Sequence, residues 1–146
     1  MAIDAVSTSP NQEPGVRVRV GQPGNLRLFA WAQQLDCAFG VSPLLVGSAI
    51  QRKDWRDVDV RLVLPDEQYH QWVGGSWYLE SRRQSMCVAY SIWGQQYTGL
   101  PIDFQFQPAT EAEQHSGQPA IALRGFYSSR PRTGPGADYD REPDGD

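Results

Sequence analysis

Long apolar segments are missing from this sequence. No stretch approaches the roughly 20 consecutive apolar residues that a membrane-spanning helix requires, so we expect no membrane partner. The opening residues, Met1 to Pro14, have neither a basic start nor an apolar centre, which is unlike a secretory signal. Both observations favour a cytoplasmic protein.

Cysteine, histidine and lysine are also scarce. The two cysteines, Cys37 and Cys87, lie far apart in helix-like segments, and we expect buried free thiols rather than a disulfide. The two histidines, His70 and His115, stand in polar surroundings without a Cys or His partner at zinc-ligand spacing. We interpret both as surface residues. Lys53 is the only lysine among the basic residues.

Basic residues are outnumbered by acidic ones, 13 Lys and Arg against 17 Asp and Glu, which gives a net charge of −4. A broad nucleic-acid-binding surface requires an excess of basic residues, so we expect no such surface. A local basic loop can still bind one phosphorylated ligand. The hydrophobic content of 40% is typical of a folded protein, and 146 residues suffice for one domain with a substantial core.

Composition divides the chain into three parts. Residues 1–22 are an N-terminal arm in which valines alternate with arginines over residues 16–20, as in a short strand. This segment either adds to the main sheet or binds a partner protein. Residues 23–127 carry the apolar patterns of a folded domain. Residues 128–146 are rich in Ser, Arg, Pro, Gly and Asp, and are predicted to be a disordered tail.

Apolar residues at helical spacing predict two long helices. The first covers Leu26–Phe39, with Asn25 as its N-terminal cap and Gly40 as its end. The second covers Tyr78–Tyr97. A shorter helix with acidic residues in its first turn is predicted over Asp66–Val73.

Alternating and apolar patterns predict the strands of a small sheet. Leu44–Val46 is apolar, while Asp57–Leu64 and Ile102–Gln107 alternate between polar and apolar residues. Weaker patterns predict a turn of helix at Ala109–His115 and a strand or extended segment at Ala120–Leu123. The order of the elements predicts a single α/β domain, in which a small mixed sheet of three to five strands is flanked by the two long helices.

Three aspartates stand on the polar faces of two of these strands. Asp57 and Asp59, at positions i and i+2, point to the same face, and Asp103 opens the polar face of a later strand. Adjacent carboxylates repel one another unless a cation lies between them. Mg²⁺ and Mn²⁺ prefer oxygen ligands, so the three aspartates are candidate metal ligands if the strands are neighbours. The alternative is a solvated strand face whose charge is offset by Arg56 and Arg61.

A candidate phosphate-binding segment follows the first strand at Gly47-Ser48. A glycine lets the backbone approach a phosphate, and the serine hydroxyl and neighbouring N–H groups can bind its oxygens. The polar loop that comes next carries further candidates for phosphate contact, namely Arg52, Lys53 and Arg56. On the second long helix, Arg82 and Arg83 are interpreted as surface residues, with the lining of a nucleotide cleft as the alternative.

Together these motifs resemble those of the DNA polymerase beta-like nucleotidyltransferase superfamily, in particular its minimal single-domain members. Such proteins carry an apolar residue followed by Gly-Ser, a short loop, an Asp-apolar-Asp-apolar strand and a third aspartate on a later strand. The corresponding segments are Val46-Gly47-Ser48, Asp57-Val58-Asp59-Val60 and Pro101-Ile102-Asp103-Phe104. The resemblance spans roughly residues 25–107.

The resemblance implies an enzyme that transfers a nucleoside monophosphate from a nucleoside triphosphate to a hydroxyl group and releases pyrophosphate. By position, Asp57 and Asp59 would bind two Mg²⁺ ions, with Mn²⁺ as a substitute. Asp103 would ligate the catalytic ion and help to deprotonate the acceptor. Ser48, beside Gly47, would contact the β- or γ-phosphate. A protein, an RNA and a small molecule all remain candidate acceptors.

Two other functions fit the same residues. A nucleotidyltransferase-like domain without activity would bind a nucleotide or a protein partner. A plain interaction domain would carry its pair of aspartates by coincidence. Metal-dependent transfer of a labelled nucleotide distinguishes the enzyme from both, and thermal stabilisation by nucleotide without turnover distinguishes the second function from the third.

Overall fold

The computed structural model describes residues 17–74 and 77–124. The predicted tail over residues 128–146 and the start of the N-terminal arm lie outside these described residues. The described residues contain the predicted helices and strands together with one short helix, at Ser48–Gln51, that the sequence does not predict. In chain order they are α1 (Gly24–Phe39), β1 (Leu44–Val46), α2 (Ser48–Gln51), β2 (Val58–Leu64), α3 (Asp66–Trp72), α4 (Trp77–Thr98), β3 (Ile102–Pro108), α5 (Ala109–Glu113) and β4 (Ala120–Ala122).

The strands form a mixed four-stranded sheet in the order β3-β2-β1-β4. Strand β1 pairs antiparallel with β2 on one side and with β4 on the other. Strands β2 and β3 are parallel, and a parallel pair requires a long crossover connection. Helices α3 and α4 provide it. The predicted mixed α/β fold is therefore confirmed.

The two faces of the sheet differ because the side chains of each strand alternate. On β2 and β3 every second residue is buried, namely Val58, Val60, Leu62, Leu64, Ile102, Phe104 and Phe106. These side chains face α1 and α4. The intervening polar residues lie on the opposite face, with Asp59 and Arg61 on β2 and Asp103 and Gln105 on β3. The division that the sequence predicts for both strands is confirmed, and it collects the charged groups on one face.

Aromatic rings fill the space between the sheet and the two long helices. The Trp31 ring of α1 is fully buried and contacts Trp93 and Phe104 edge to face, with centroids 5.8 and 5.9 Å away. Tyr90 of α4 stacks on Phe104 at 5.2 Å. Helix α4 approaches this closely because residue 94 is glycine. A Cβ there would lie 2.8 Å from the Trp31 ring.

Side chains of α4 also cover the outer edge of β3. The Phe104 N–H donates to Ser91 Oγ at 2.9 Å, Gln95 Nε2 donates to Ile102 O at 3.0 Å, and Arg83 Nη2 donates to Phe106 O at 3.5 Å. An exposed sheet edge is a template for pairing with another chain. Helix α4 therefore both completes the core and protects this edge.

The structure corrects the predicted start of α1. Helix α1 begins at Gly24 after an N-cap at Pro23, so Asn25 lies inside the helix and is not its cap. Asn25 Nδ2 instead donates to Val20 O at 3.2 Å. This bond attaches the N-terminal segment to the helix. The predicted end at Gly40 is confirmed.

Two other local predictions are wrong. Ser48–Gln51 forms the short helix α2, although the sequence predicts a polar loop directly after Gly47-Ser48. Residues 17–20 form no strand. They lie against α2 and the following loop, where Arg19 N donates to Ala49 O at 2.8 Å and Trp55 Nε1 donates to Arg19 O at 3.2 Å.

Both cysteines are free thiols, as predicted, but Cys37 is exposed rather than buried. Its position falls on the side of α1 that faces away from the buried residues Leu28 and Leu35. Among the described helices, none combines the length and apolar character needed to cross a membrane.

Candidate functional site

Asp59 lies at the centre of the polar face of the sheet. In the strand register it is opposite Asp103 on β3 and opposite Val46 on β1. Cross-strand neighbours in register point to the same face, so the carboxylates of Asp59 and Asp103 are side by side. The sequence predicts a metal site only if the two strands are neighbours, and β2 and β3 are neighbours.

Asp57 lies at the edge of this pair. It precedes β2, where the Val58 N–H donates to Pro101 O at 2.9 Å, and its side chain is exposed. Asp57 and Asp103 both line a shallow cleft with Ser91 and Ile92 of α4. All three predicted aspartates therefore lie in one region, with Asp59 partly buried and the other two at the surface.

The electrostatics of Asp59 reflect this crowding. Burial raises the pKa of the Asp59 carboxyl, and the charge of Asp103 raises it further. The Arg61 guanidinium acts in the opposite direction, and Asp57 adds a smaller upward contribution. Removing a carboxylate from water and placing a like charge beside it both disfavour ionisation. The site therefore favours a proton or a metal cation at Asp59.

Gly47 lies directly against the Asp59 carboxylate. Its backbone has φ 76° and ψ −150°, a conformation that is open to glycine and strained for other residues. A Cβ on Gly47 would also overlap Asp59 Oδ2. Glycine at this position is thus required for two independent reasons, and Ser48 begins α2 immediately after it. The candidate phosphate-binding segment and the carboxylates are in contact.

The fit of a metal ion depends on how many ligands the chain supplies. Within residues 17–74 and 77–124, no group of three His, Cys, Asp or Glu side chains is arranged to hold an ion. The site is an adjacent pair, Asp59 and Asp103, with Asp57 as a neighbour. Mg²⁺ is commonly bound through one or two carboxylates, with water and substrate phosphates as its other ligands. The pair suits that kind of binding and does not resemble a closed protein cage.

The basic loop that the sequence offered as a phosphate contact is exposed. Arg52 forms an ion pair with Asp54 at 3.0 Å, and both side chains are mainly solvated. The hydrogen bond from Arg52 lowers the pKa of the Asp54 carboxyl. Lys53 and Arg56 are exposed as well. In this arrangement Arg52 is engaged locally, and a role of the three residues in binding phosphates stays a prediction.

Two arginines lie at the site in addition to the residues that the motifs identify. Arg61 was interpreted as a compensating charge and Arg83 as a helix-surface residue. Both line a polar cleft of about 350 Å³ that also contains Gly47 and Asp59. The sequence indicates the position of Arg61, because it lies two residues after Asp59 and side chains at this spacing on a strand point to the same face. For Arg83, cleft lining is the alternative in the sequence analysis, and the packing of α4 beside β3 places the residue there.

Comparisons with known proteins add no relative: no protein-family model, curated protein or solved structure matches the chain.

Proposed function

We propose that the protein is a metal-dependent nucleotidyltransferase, which transfers a nucleoside monophosphate from a nucleoside triphosphate to a hydroxyl group. The observation that carries the proposal is the register of Asp59 opposite Asp103, with Gly47 in contact with the Asp59 carboxylate. In phosphoryl transfer, metal ions held by carboxylates stabilise the attacking and leaving oxygens, and nearby backbone N–H groups can bind the phosphates. The carboxylate pair beside Gly47 provides both kinds of group.

Asp59 and Asp103 would hold Mg²⁺ or Mn²⁺, with Asp57 as a further ligand when the nucleotide is present. Bound there, the cation would neutralise charge on the transferred phosphoryl group and lower the pKa of the attacking hydroxyl. The residues of the chain would position the nucleotide phosphates and the acceptor hydroxyl. Gly47 and Ser48 lie on the β1 side of Asp59, and Asp103 lies on the β3 side.

This order across the sheet suits an in-line displacement, in which the acceptor oxygen attacks phosphorus on the side opposite to the departing pyrophosphate oxygen. Pyrophosphate would leave on the side of Gly47 and Ser48. The acceptor hydroxyl would enter beside Asp103, through the cleft against α4. The wall of that cleft includes Val88 and Ile92, which are 57% and 47% exposed. An acceptor with an apolar group next to its hydroxyl fits this wall.

The test is transfer of label from α-³²P nucleoside triphosphates to protein, RNA and small-molecule acceptors in the presence of Mg²⁺. Asp59→Asn and Asp103→Asn are expected to reduce transfer by at least about 100-fold, the magnitude typical of losing one group that stabilises a transition state. Glu113→Gln is a matched control, because Glu113 is exposed on α5 and should leave transfer unchanged.

Equal transfer by all variants would overturn the assignment of the aspartates. If nucleotide raises the melting temperature of the wild type but no acceptor is labelled, the protein is a nucleotide-binding domain. If neither nucleotide nor metal changes the melting temperature, an interaction domain remains.

A further inference from the structure

Arg61 has a buried nitrogen whose hydrogen-bonding capacity is unused. Its Nη1 atom is inaccessible to solvent and has no hydrogen-bond partner. The two ion pairs within the described ranges involve Arg52 and Arg83, not Arg61. A charged donor that is removed from water without a partner destabilises the folded state. Buried groups of this kind are rare and call for an explanation, such as a missing ligand.

The strand register determines which side chains lie beside Arg61. Its cross-strand neighbours are Leu44 on β1 and Gln105 on β3. The Leu44 side chain offers no acceptor. The Gln105 amide offers one but forms no hydrogen bond with Arg61 Nη1, and the carboxylate pair of Asp59 and Asp103 lies one row further along the strands. The guanidinium therefore influences Asp59 through its charge without forming an ion pair within 4 Å in the described structure.

The side chain lines the polar cleft of about 350 Å³ noted above, whose other walls include Arg83, Gln105, Gln107 and Glu111. This volume lies at the lower end of the range for small-molecule sites. Inorganic phosphate would occupy only part of it. The dimensions suit a small organic molecule that carries an anionic group.

We infer that Arg61 is the anchor of a binding site for a phosphate group in this cleft. A guanidinium presents a planar fork of N–H donors that matches the oxygens of phosphate. Nη1 is closed to water and therefore also to a ligand oxygen in this structure, so a phosphate in the cleft would reach it only after the Arg61 side chain rotates. Arg83 adds a second guanidinium in the same cleft, although its nitrogens also bond to Glu80 and to Phe106 O.

The cleft is not a general basic patch, since Asp59 and Glu111 line it together with the two arginines. Net charge therefore contributes little attraction, and affinity must come from directed hydrogen bonds. Replacing the fork of Arg61 should then reduce binding far more than removing a solvent-exposed positive charge would. This distinguishes a site from nonspecific electrostatic attraction.

The phosphate group has two candidate sources: the nucleotide of the proposed reaction, or a phosphorylated acceptor that binds beside it. The inference itself does not depend on catalysis. Titration with inorganic phosphate, without nucleotide and with divalent cations removed by EDTA, therefore tests the site apart from the proposed function.

Isothermal titration calorimetry of the full chain with inorganic phosphate is the primary measurement. The wild type should bind phosphate saturably, and Arg61→Gln should weaken binding at least tenfold. Arg61→Lys should bind less tightly than the wild type and more tightly than Arg61→Gln, because it keeps the charge and loses the fork. Arg82→Gln is the matched control: Arg82 is exposed beside Arg83 on α4 and should retain wild-type affinity. Circular dichroism spectra establish that each variant is folded.

A second titration distinguishes the two sources. Competition between phosphate and a non-hydrolysable ATP analogue assigns the site to the nucleotide, and simultaneous binding assigns it to a phosphorylated acceptor. Failure of the wild type to bind phosphate, or equal affinity in folded Arg61→Gln, would overturn the inference. Nucleotidyl transfer that persists in that case leaves the proposed function intact.

Discussion

Asp59 and Asp103 lie directly opposite one another on the parallel strands β2 and β3, on the polar face of the sheet. Val46 at the end of β1 and Gly47 directly after it lie beside Asp59, and Arg61 lies one row further along β2. The pair therefore has a glycine backbone on one side and an arginine at its end. This arrangement leads to four predictions besides the transfer and phosphate-binding tests.

The first prediction concerns stability as a function of pH. Because the pKa of Asp59 is raised in the folded protein, the folded state retains its proton to higher pH than the unfolded chain does. The free energy of unfolding should therefore decrease as pH rises from the unfolded value near 3.8 through the raised folded pKa. Asp59→Asn removes this effect. Without metal, the variant should melt at a higher temperature than the wild type at pH 7.

Thermal unfolding followed by circular dichroism between pH 3 and pH 8 measures this difference. The advantage of Asp59→Asn should shrink below the unfolded pKa, where the wild-type carboxyl is protonated in both states. Glu113→Gln should show no comparable advantage. A variant that melts below the wild type across the whole range would contradict the electrostatic account of Asp59.

The second prediction concerns Gly47. Replacing it with alanine places a Cβ against the Asp59 carboxylate at a residue whose φ is +76°. Backbone strain of this kind is of the order of 1–3 kcal/mol, and the overlap adds to it. Gly47→Ala should therefore lower the free energy of unfolding by at least about 1 kcal/mol, as measured by urea denaturation.

Gly117 supplies the matched control for that experiment. A Cβ at Gly117 would meet nothing within 4 Å, so Gly117→Ala should change the free energy of unfolding by less than about 0.5 kcal/mol. Equal stability of the two variants would argue against the close contact between Gly47 and Asp59.

The third prediction concerns the protected edge of β3. Ser91 Oγ accepts the hydrogen bond of the buried Phe104 N–H and donates to Cys87 O at 2.7 Å. Ser91→Ala leaves that backbone N–H without its partner, which should lower the free energy of unfolding by about 1–3 kcal/mol.

Ser85→Ala is the comparison, because the Ser85 hydroxyl is exposed and donates only to Ser81 O of its own helix turn. Ser85→Ala should therefore change the free energy of unfolding by less than about 0.5 kcal/mol. If chemical denaturation gives the same midpoint for both serine variants, α4 does not stabilise the β3 edge in the way described.

The sequence predicts the elements of this fold better than their contacts. The alternation of β2 and β3 and the helical spacing in α1 are local patterns, and the structure confirms them. Helix α2 escapes such analysis because four residues are too few to show a periodicity. Asn25 suits a helix cap, yet the helix begins earlier, and the Asn25 side chain instead bonds to Val20.

For the candidate site too, the sequence predicts the residues better than the contacts between them. The motifs identify Gly47, Asp59 and Asp103 individually, but the register of β3 against β2 depends on a crossover of two helices, which no local pattern specifies. The surroundings of Arg61 Nη1 depend on the same register. Its unpartnered nitrogen becomes visible only when the neighbouring strands are in place.

The fourth prediction tests the central claim that Asp59 and Asp103 together bind a divalent cation. Titration of the protein with Mn²⁺, followed by electron paramagnetic resonance of the free ion, measures this binding directly. The wild type and Glu113→Gln should bind Mn²⁺ with equal affinity, and Asp59→Asn and Asp103→Asn should each bind it at least tenfold more weakly. Unchanged Mn²⁺ affinity in both aspartate variants would contradict the claim.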